Sequence, residues 1–140
     1  MAKLRRRLRV PGDLQQMRTA MQFVKEVAQD AGVGDDGIFQ IELSVEEVFT
    51  NIVEHGYRYN GADKSVEILC EADGETLWIA IGDEAPPFNP LQQPESDPLA
   101  SLEDRDTGGW GIAFVRRYMD KLHYHYSNQR NWLILEKKIS

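Results

Sequence analysis

The chain has 140 residues, 41% of them hydrophobic and 28% charged, a composition that supports one globular domain around one core. A net charge of −7 runs against a general nucleic-acid binder, and no apolar run approaches the roughly 20 residues of a membrane span. The basic start MAKLRRRLRV lacks the apolar stretch of a secretory signal, and the single Cys70 can form no internal disulfide, so a cytoplasmic location is expected.

In chain order, Lys3, Arg5, Arg7 and Arg9 alternate with Leu4, Leu8 and Val10, a period of two broken only by Arg6, which predicts a half-exposed strand. Pro11, Gly12 and Asp13 read as a turn and helix N-cap. Leu14, Met17, Met21, Val24, Ala28 and Ala31 then recur at helical steps until Gly32 and Gly34. Asp35 or Asp36 is expected to cap the next helix, whose apolar stripe is Ile38, Ile41, Val45, Val48 and Ile52 and whose end lies near Gly56. Two apolar segments, Ser65 to Ala72 and Thr76 to Gly82, flank the turn signal Asp73-Gly74 and predict a hairpin, with Cys70 buried in its first strand.

From Glu84 to Gly108 the periodicity disappears, and five of the six prolines fall between Pro86 and Pro98, so this stretch reads as a long loop of the kind that serves as a lid. A third helix follows, with Ile112, Val115, Met119 and Leu122 on one face, and LHYHYSNQRNWLILEKK closes as a second hairpin. The order predicts an α+β fold: a two-layer sandwich in which a mostly antiparallel sheet of about five strands carries three helices on one face.

Three polar features stand out against this framework. Glu47, Asn51 and His55 are spaced by four residues on the second helix, which would place them on one ridge able to act on one object. Asparagine in a helix interior asks for a reason, since it prefers caps and turns; the plain alternative is a solvated face. Asp83 ends an apolar strand just where the proline-rich loop begins, as either a pocket-rim acid or a turn former. Gly108, Gly109 and Gly111 open a helix, where bare backbone N–H groups can meet phosphate, although a glycine cluster also makes a hinge. His123 and His125 share one strand face, but with no third ligand in view a solvent-facing pair is favoured over a metal site.

Taken together, EEVFTNIVEHGY, DEAPPFNPL and GGWGIAFVRRYMDKLHY resemble the N, G1 and G2 boxes of the GHKL ATPase superfamily, and within it the anti-sigma-factor serine/threonine kinases of bacterial partner-switching systems. The resemblance runs from end to end and implies one histidine-kinase-like ATPase domain over residues 1–140, with an ATP lid at about 84–110. It implies ATP and Mg²⁺ as cofactors, Glu47 as general base and Asn51 as the magnesium ligand. His55, Gly108, Gly109, Gly111 and Ile112 would lie along the nucleotide, Asp83 would accept a hydrogen bond from the adenine amino group, and Ala85 and Pro87 would flank the base; Arg105, in the lid, either adds positive charge at the ATP phosphate or is an ordinary exposed arginine of an acidic loop. Ala85 stands where the family usually has glycine, and Trp110 where it usually has leucine. The implied partners are a sigma factor and a STAS-type anti-anti-sigma protein phosphorylated on serine or threonine, with no direct nucleic acid or membrane contact, and a homodimer is compatible with it. The competing expectations are a non-catalytic ATP-sensing adaptor and a GHKL kinase serving another signalling output.

Overall fold

The computed structural model describes residues 3–92 and 112–140. Five strands, β1 (Leu4–Gly12), β2 (Gly61–Ala72), β3 (Thr76–Asp83), β4 (Lys121–Ser127) and β5 (Arg130–Lys138), form one antiparallel sheet in the order β1-β2-β3-β5-β4. Helices α1 (Met17–Ala31), α2 (Asp35–Asn51) and α3 (Ile112–Tyr118) complete the α+β framework. Alternation sorts the central strands: Val66, Ile68 and Cys70, Leu77, Ile79 and Ile81, and Leu133 and Leu135 are buried on one face. They share a core with Ala20, Val24, Val27 and Ala28 of α1 and Ile41, Val45, Val48 and Phe49 of α2. The opposite residues of the same strands, among them Leu69, Trp78, Trp132 and Ile134, are only partly buried.

The arginine-rich β1 is an edge strand. Arg5 pairs with Glu71 at 3.2 Å on one face, and Arg6, the residue that breaks the alternation, turns to the helix side and meets Asp30 of α1 at 3.2 Å. β1 continues through Pro11 to Gly12, where its register with β2 shifts, so Asp13 caps a short 3₁₀ turn at Leu14–Gln16 rather than α1. Gly34 is the N-cap of α2, and Asp35 and Asp36 fall in its first turn, where their charge complements the helix dipole.

Two differences from the expected boundaries bear on function. First, α2 stops at Asn51 and the chain widens into π winding over Ile52–Gly56, closed by the Tyr57 N–H donating to the Ile52 carbonyl at 2.7 Å. Such π turns are uncommon and concentrate at functional sites. Second, β2 begins at Gly61, four residues before Ser65, because Gly61 pairs with Gly12 across the register shift. The Tyr57 ring lies against this glycine pair: a Cβ at Gly12 would sit 2.5 Å from the ring and one at Gly61 2.4 Å.

Candidate functional site

The π winding, the end of β3 and the start of β5 enclose a cavity of about 500 Å³, within the size range of small-molecule sites. Its apolar walls include Val48, Ile52, Ile81, Ile112 and Leu133, and its polar groups include Asn51, His55, Asp83, Tyr124 and Asn131. Of the residues expected at a nucleotide site, Asn51, His55, Asp83, Ala85, Pro87 and Ile112 line this one cavity. Glu47 does not line it. Arg105, Gly108, Gly109 and Gly111 lie outside the described residues, as does the lid beyond Gln92.

Glu47 stands one helical turn before Asn51 on α2 and is half-buried. Burial raises its carboxyl above the ordinary value, and the neighbouring Glu46 and Glu54 carboxylates add to the shift. From Asn51 onward the π winding replaces the regular helical step, so His55 does not continue a straight ridge. It still reaches the cavity wall.

Asp83 is 8% exposed and is the acid among the cavity-lining residues. Burial raises its carboxyl, opposed by hydrogen bonds from the Asn131 side chain and the Ala85 N–H and by the nearby Arg130 charge. Its Oδ1 accepts both bonds, from Ala85 N–H at 2.9 Å and from Asn131 Nδ2 at 3.0 Å. Ala85 is buried with its methyl against Gly56, where an added Cβ would come within 3.2 Å of it. The Ala85 methyl is thus accommodated by a glycine on the π turn.

Behind Asp83 the sheet is completed by side chains. Ser65 lies just past the last β2–β3 pair, Val66 with Asp83. Its N–H donates to Glu84 Oε2 at 2.8 Å, and its carbonyl accepts from the Tyr57 hydroxyl at 2.6 Å. The same hydroxyl accepts from the Glu84 N–H at 2.7 Å. Burial drives the Tyr57 phenol strongly up, so it stays protonated and able to donate. On the far side Arg116 of α3 donates to the Leu91 carbonyl, tying the first turn of the loop, Pro90–Gln92, to the helix that follows it.

Tyr57, Glu84, Tyr124 and Asn131 were not singled out from the sequence. Asn131 does leave a trace there, as the polar member of the inward series Asn131, Leu133, Leu135, but only the register that sets it opposite Asp83 gives that trace a meaning. His123 pairs with Glu136 at 3.1 Å. Among the described residues no group of three His, Cys, Asp or Glu side chains could hold a metal ion, and no helix is long and apolar enough to cross a membrane.

The profile of the histidine kinase-like ATPase domain matches residues 10–137. The chain is 30% identical over 98 residues to the serine/threonine-protein kinase BtrW of Bordetella bronchiseptica, covering 69% of this chain and 68% of that protein. It is 26% identical over 101 residues to the anti-sigma F factor of Clostridium novyi, covering 72% and 70%. Among solved structures, the RsbU and RsbW domains of Rv1364c from Mycobacterium tuberculosis superpose with a TM-score of 0.67 at 15% identity, over 99% of this chain and 32% of that one. The catalytic domain of histidine kinase ThkA superposes with a TM-score of 0.52 at 12% identity, over 99% of both chains. At these identities the structural likeness concerns the fold.

Proposed function

The chain belongs to the histidine kinase-like ATPase domain family, and on that premise we propose that it is an ATP-dependent anti-sigma regulatory factor. It sequesters a sigma factor and phosphorylates a serine or threonine of a STAS-type antagonist. The observation that carries the reading is the Asp83 carboxylate, fixed through one oxygen at the wall of a largely apolar cavity lined also by Asn51 and His55. The names of its relatives, an anti-sigma factor and a serine/threonine kinase, supply the output.

The residues present fit the nucleotide. The apolar walls suit a purine, and the second Asp83 oxygen accepts the adenine amino group. Removing such an acceptor strands a buried donor, at a cost of about 1–3 kcal/mol. Mg²⁺ is a hard ion that keeps several waters, so the Asn51 amide oxygen with the phosphates makes a sufficient donor set. When bound, the ion neutralises phosphate charge. His55 contacts the phosphate side, and on this reading the same role falls to Arg105, Gly108, Gly109 and Gly111, which lie outside the described residues.

Glu47 orients the antagonist's hydroxyl and takes its proton while that oxygen forms a bond to the γ-phosphorus and the bond to the β–γ bridging oxygen breaks, releasing ADP. A carboxyl raised by burial is a better base near neutral pH than an ordinary one. The competing reading is a non-catalytic ATP-sensing adaptor, in which Glu47, which is not among the described residues that line the cavity, takes no proton.

Incubation with ATP, Mg²⁺ and STAS-domain proteins of the source genome, followed by mass spectrometry of the antagonist and a pull-down of sigma factors, tests the proposal. It predicts a phosphorylated serine or threonine on one antagonist, weaker binding of that product, and capture of a sigma factor by the released protein. Binding of both partners without phosphate transfer would establish the adaptor instead.

A further inference from the structure

Asn131 is 6% exposed and uses both ends of its amide. Nδ2 donates to Asp83 Oδ1 at 3.0 Å, to the Ala85 carbonyl at 3.0 Å and to the Pro86 carbonyl at 3.2 Å. Oδ1 accepts from the Phe88 N–H at 3.0 Å and from the Tyr124 hydroxyl. The orientation is forced by chemistry: the Phe88 N–H can only donate and the two carbonyls can only accept, so a flipped amide would face like groups at three contacts. One side chain on β5 therefore gathers the end of β3 and the next five residues of chain.

Resting on the ATP reading above, we propose that Asn131 is the positioning residue that holds Asp83 and the Ala85–Phe88 corner as one unit and so sets the preference for adenine. It acts through Asp83. Because Oδ1 is occupied by Asn131 and by Ala85 N–H, the carboxylate cannot rotate freely, and Oδ2, which accepts no hydrogen bond among the described residues, stays available to an exocyclic amino group. A base presenting a carbonyl at the same place would meet oxygen with oxygen. The other charged and titratable groups around Asp83 are Glu84 and Arg130 from the two strand ends, Tyr57 from the π turn and Tyr124 from β4, with His55 in the same cavity wall. Burial pushes Asp83 up and the Asn131 N–H is the largest influence holding it down, so loss of that donor moves the Asp83 titration to higher pH.

The test compares wild type with Asn131→Ala, and with Asn131→Asp, which keeps an acceptor toward Phe88 and loses the donors. Binding of ATP and of inosine triphosphate, whose base has a carbonyl in place of the amino group, is measured by calorimetry on variants shown by circular dichroism to be folded. Carbon-13 NMR follows the Asp83 carboxyl against pH in nucleotide-free wild type and Asn131→Ala. The expected result is a loss of ATP affinity of about tenfold or more with a smaller change for inosine triphosphate, and an Asp83 titration displaced upward. Equal losses for both nucleotides, or an unmoved Asp83 titration, would overturn the proposal, since a merely structural role spares both the ratio and the carboxyl. A wild type that binds neither nucleotide, or both alike, overturns the adenine reading itself; the Asp83 titration still decides whether Asn131 holds the carboxylate.

Discussion

Replacing Tyr57 by Phe removes one oxygen and leaves the ring in its slot against Gly12 and Gly61, so the effect isolates the hydroxyl. That hydroxyl donates to the Ser65 carbonyl at 2.6 Å and accepts from the Glu84 N–H at 2.7 Å, and it closes the sheet where β2 and β3 stop pairing. Each hydrogen bond contributes about 1 kcal/mol net, and stranding partly buried backbone groups adds to this. Because the Glu84 N–H is only partly buried, water relieves some of the penalty, and the total comes to about 2–3 kcal/mol. For a domain of this size that corresponds to a fall in Tm of roughly 6–12 °C. Thermal unfolding followed by far-UV circular dichroism reads it directly, and calorimetry on the folded variant should show weaker ATP binding, because the corner carrying Asp83 loses its rear support. A Tm within about 1 °C of wild type would refute the idea that this hydroxyl completes the sheet.

The Glu84 carboxyl is held below its ordinary value of 4.5, chiefly by the Ser65 N–H and also by the Ser65 hydroxyl and the charges of Arg130 and Arg9. A depressed folded-state pKa means that the ionised group stabilises the fold above the unfolded value, and that this contribution is lost as pH falls through the folded one. Urea midpoints should therefore drop more steeply for wild type than for Glu84→Gln between about pH 5 and pH 3, and parallel profiles would refute the Ser65–Glu84 link. Burial in β2 pushes the Cys70 thiol up to about 12, so a thiol reagent should label it near pH 8 only at the rate of β2 opening. Labelling as fast as a free cysteine would contradict its place in the core.

The first hairpin was legible because single residues decide it, and the stripes of α1 and α2 were legible from their period, whereas Leu122, expected on the third helix, lies in β4. Asp73 Oδ1 accepts the N–H groups of Glu75 and Thr76, both at 2.9 Å, and Gly74 takes a φ of 95°, which is what an Asp-Gly turn signal encodes. The second hairpin turns on Asn128 and Gln129, with φ of 53° and 62°; it has no glycine, and only Asn128 hints at the left-handed backbone. The π winding was illegible because its apolar residues Ile52 and Val53 continue the stripe of α2, and one turn is too short to separate a step of four from a step of five. The start of β2 was missed for a related reason: Ala62, Asp63 and Lys64 are exposed and carry no apolar alternation, and it is the pairing of Gly61 with Gly12, across a register shift, that carries the strand past them.

The site divides along the same line. Asn51 stood out as a residue type unexpected in a helix interior, His55 through its spacing from Asn51 and Asp83 through its place between strand and loop, and the three line one cavity. Tyr57, Glu84 and Asn131 act through partners 7 to 48 residues away, so their roles exist only once the chain is folded. Glu47 was legible as part of a spacing, but its distance from the cavity lining was not, because spacing fixes a direction around the helix and says nothing of where the cavity ends.

The measurement that bears most directly on the kinase reading is single-turnover transfer from Mg-ATP to the cognate antagonist by wild type and Glu47→Gln, with ATP affinity measured on both. A base that acts on the antagonist's hydroxyl and stays clear of the nucleotide cavity predicts unchanged ATP affinity and transfer slowed by roughly 10²–10⁴-fold in the variant. Transfer by Glu47→Gln at the wild-type rate would contradict the account and place the base elsewhere.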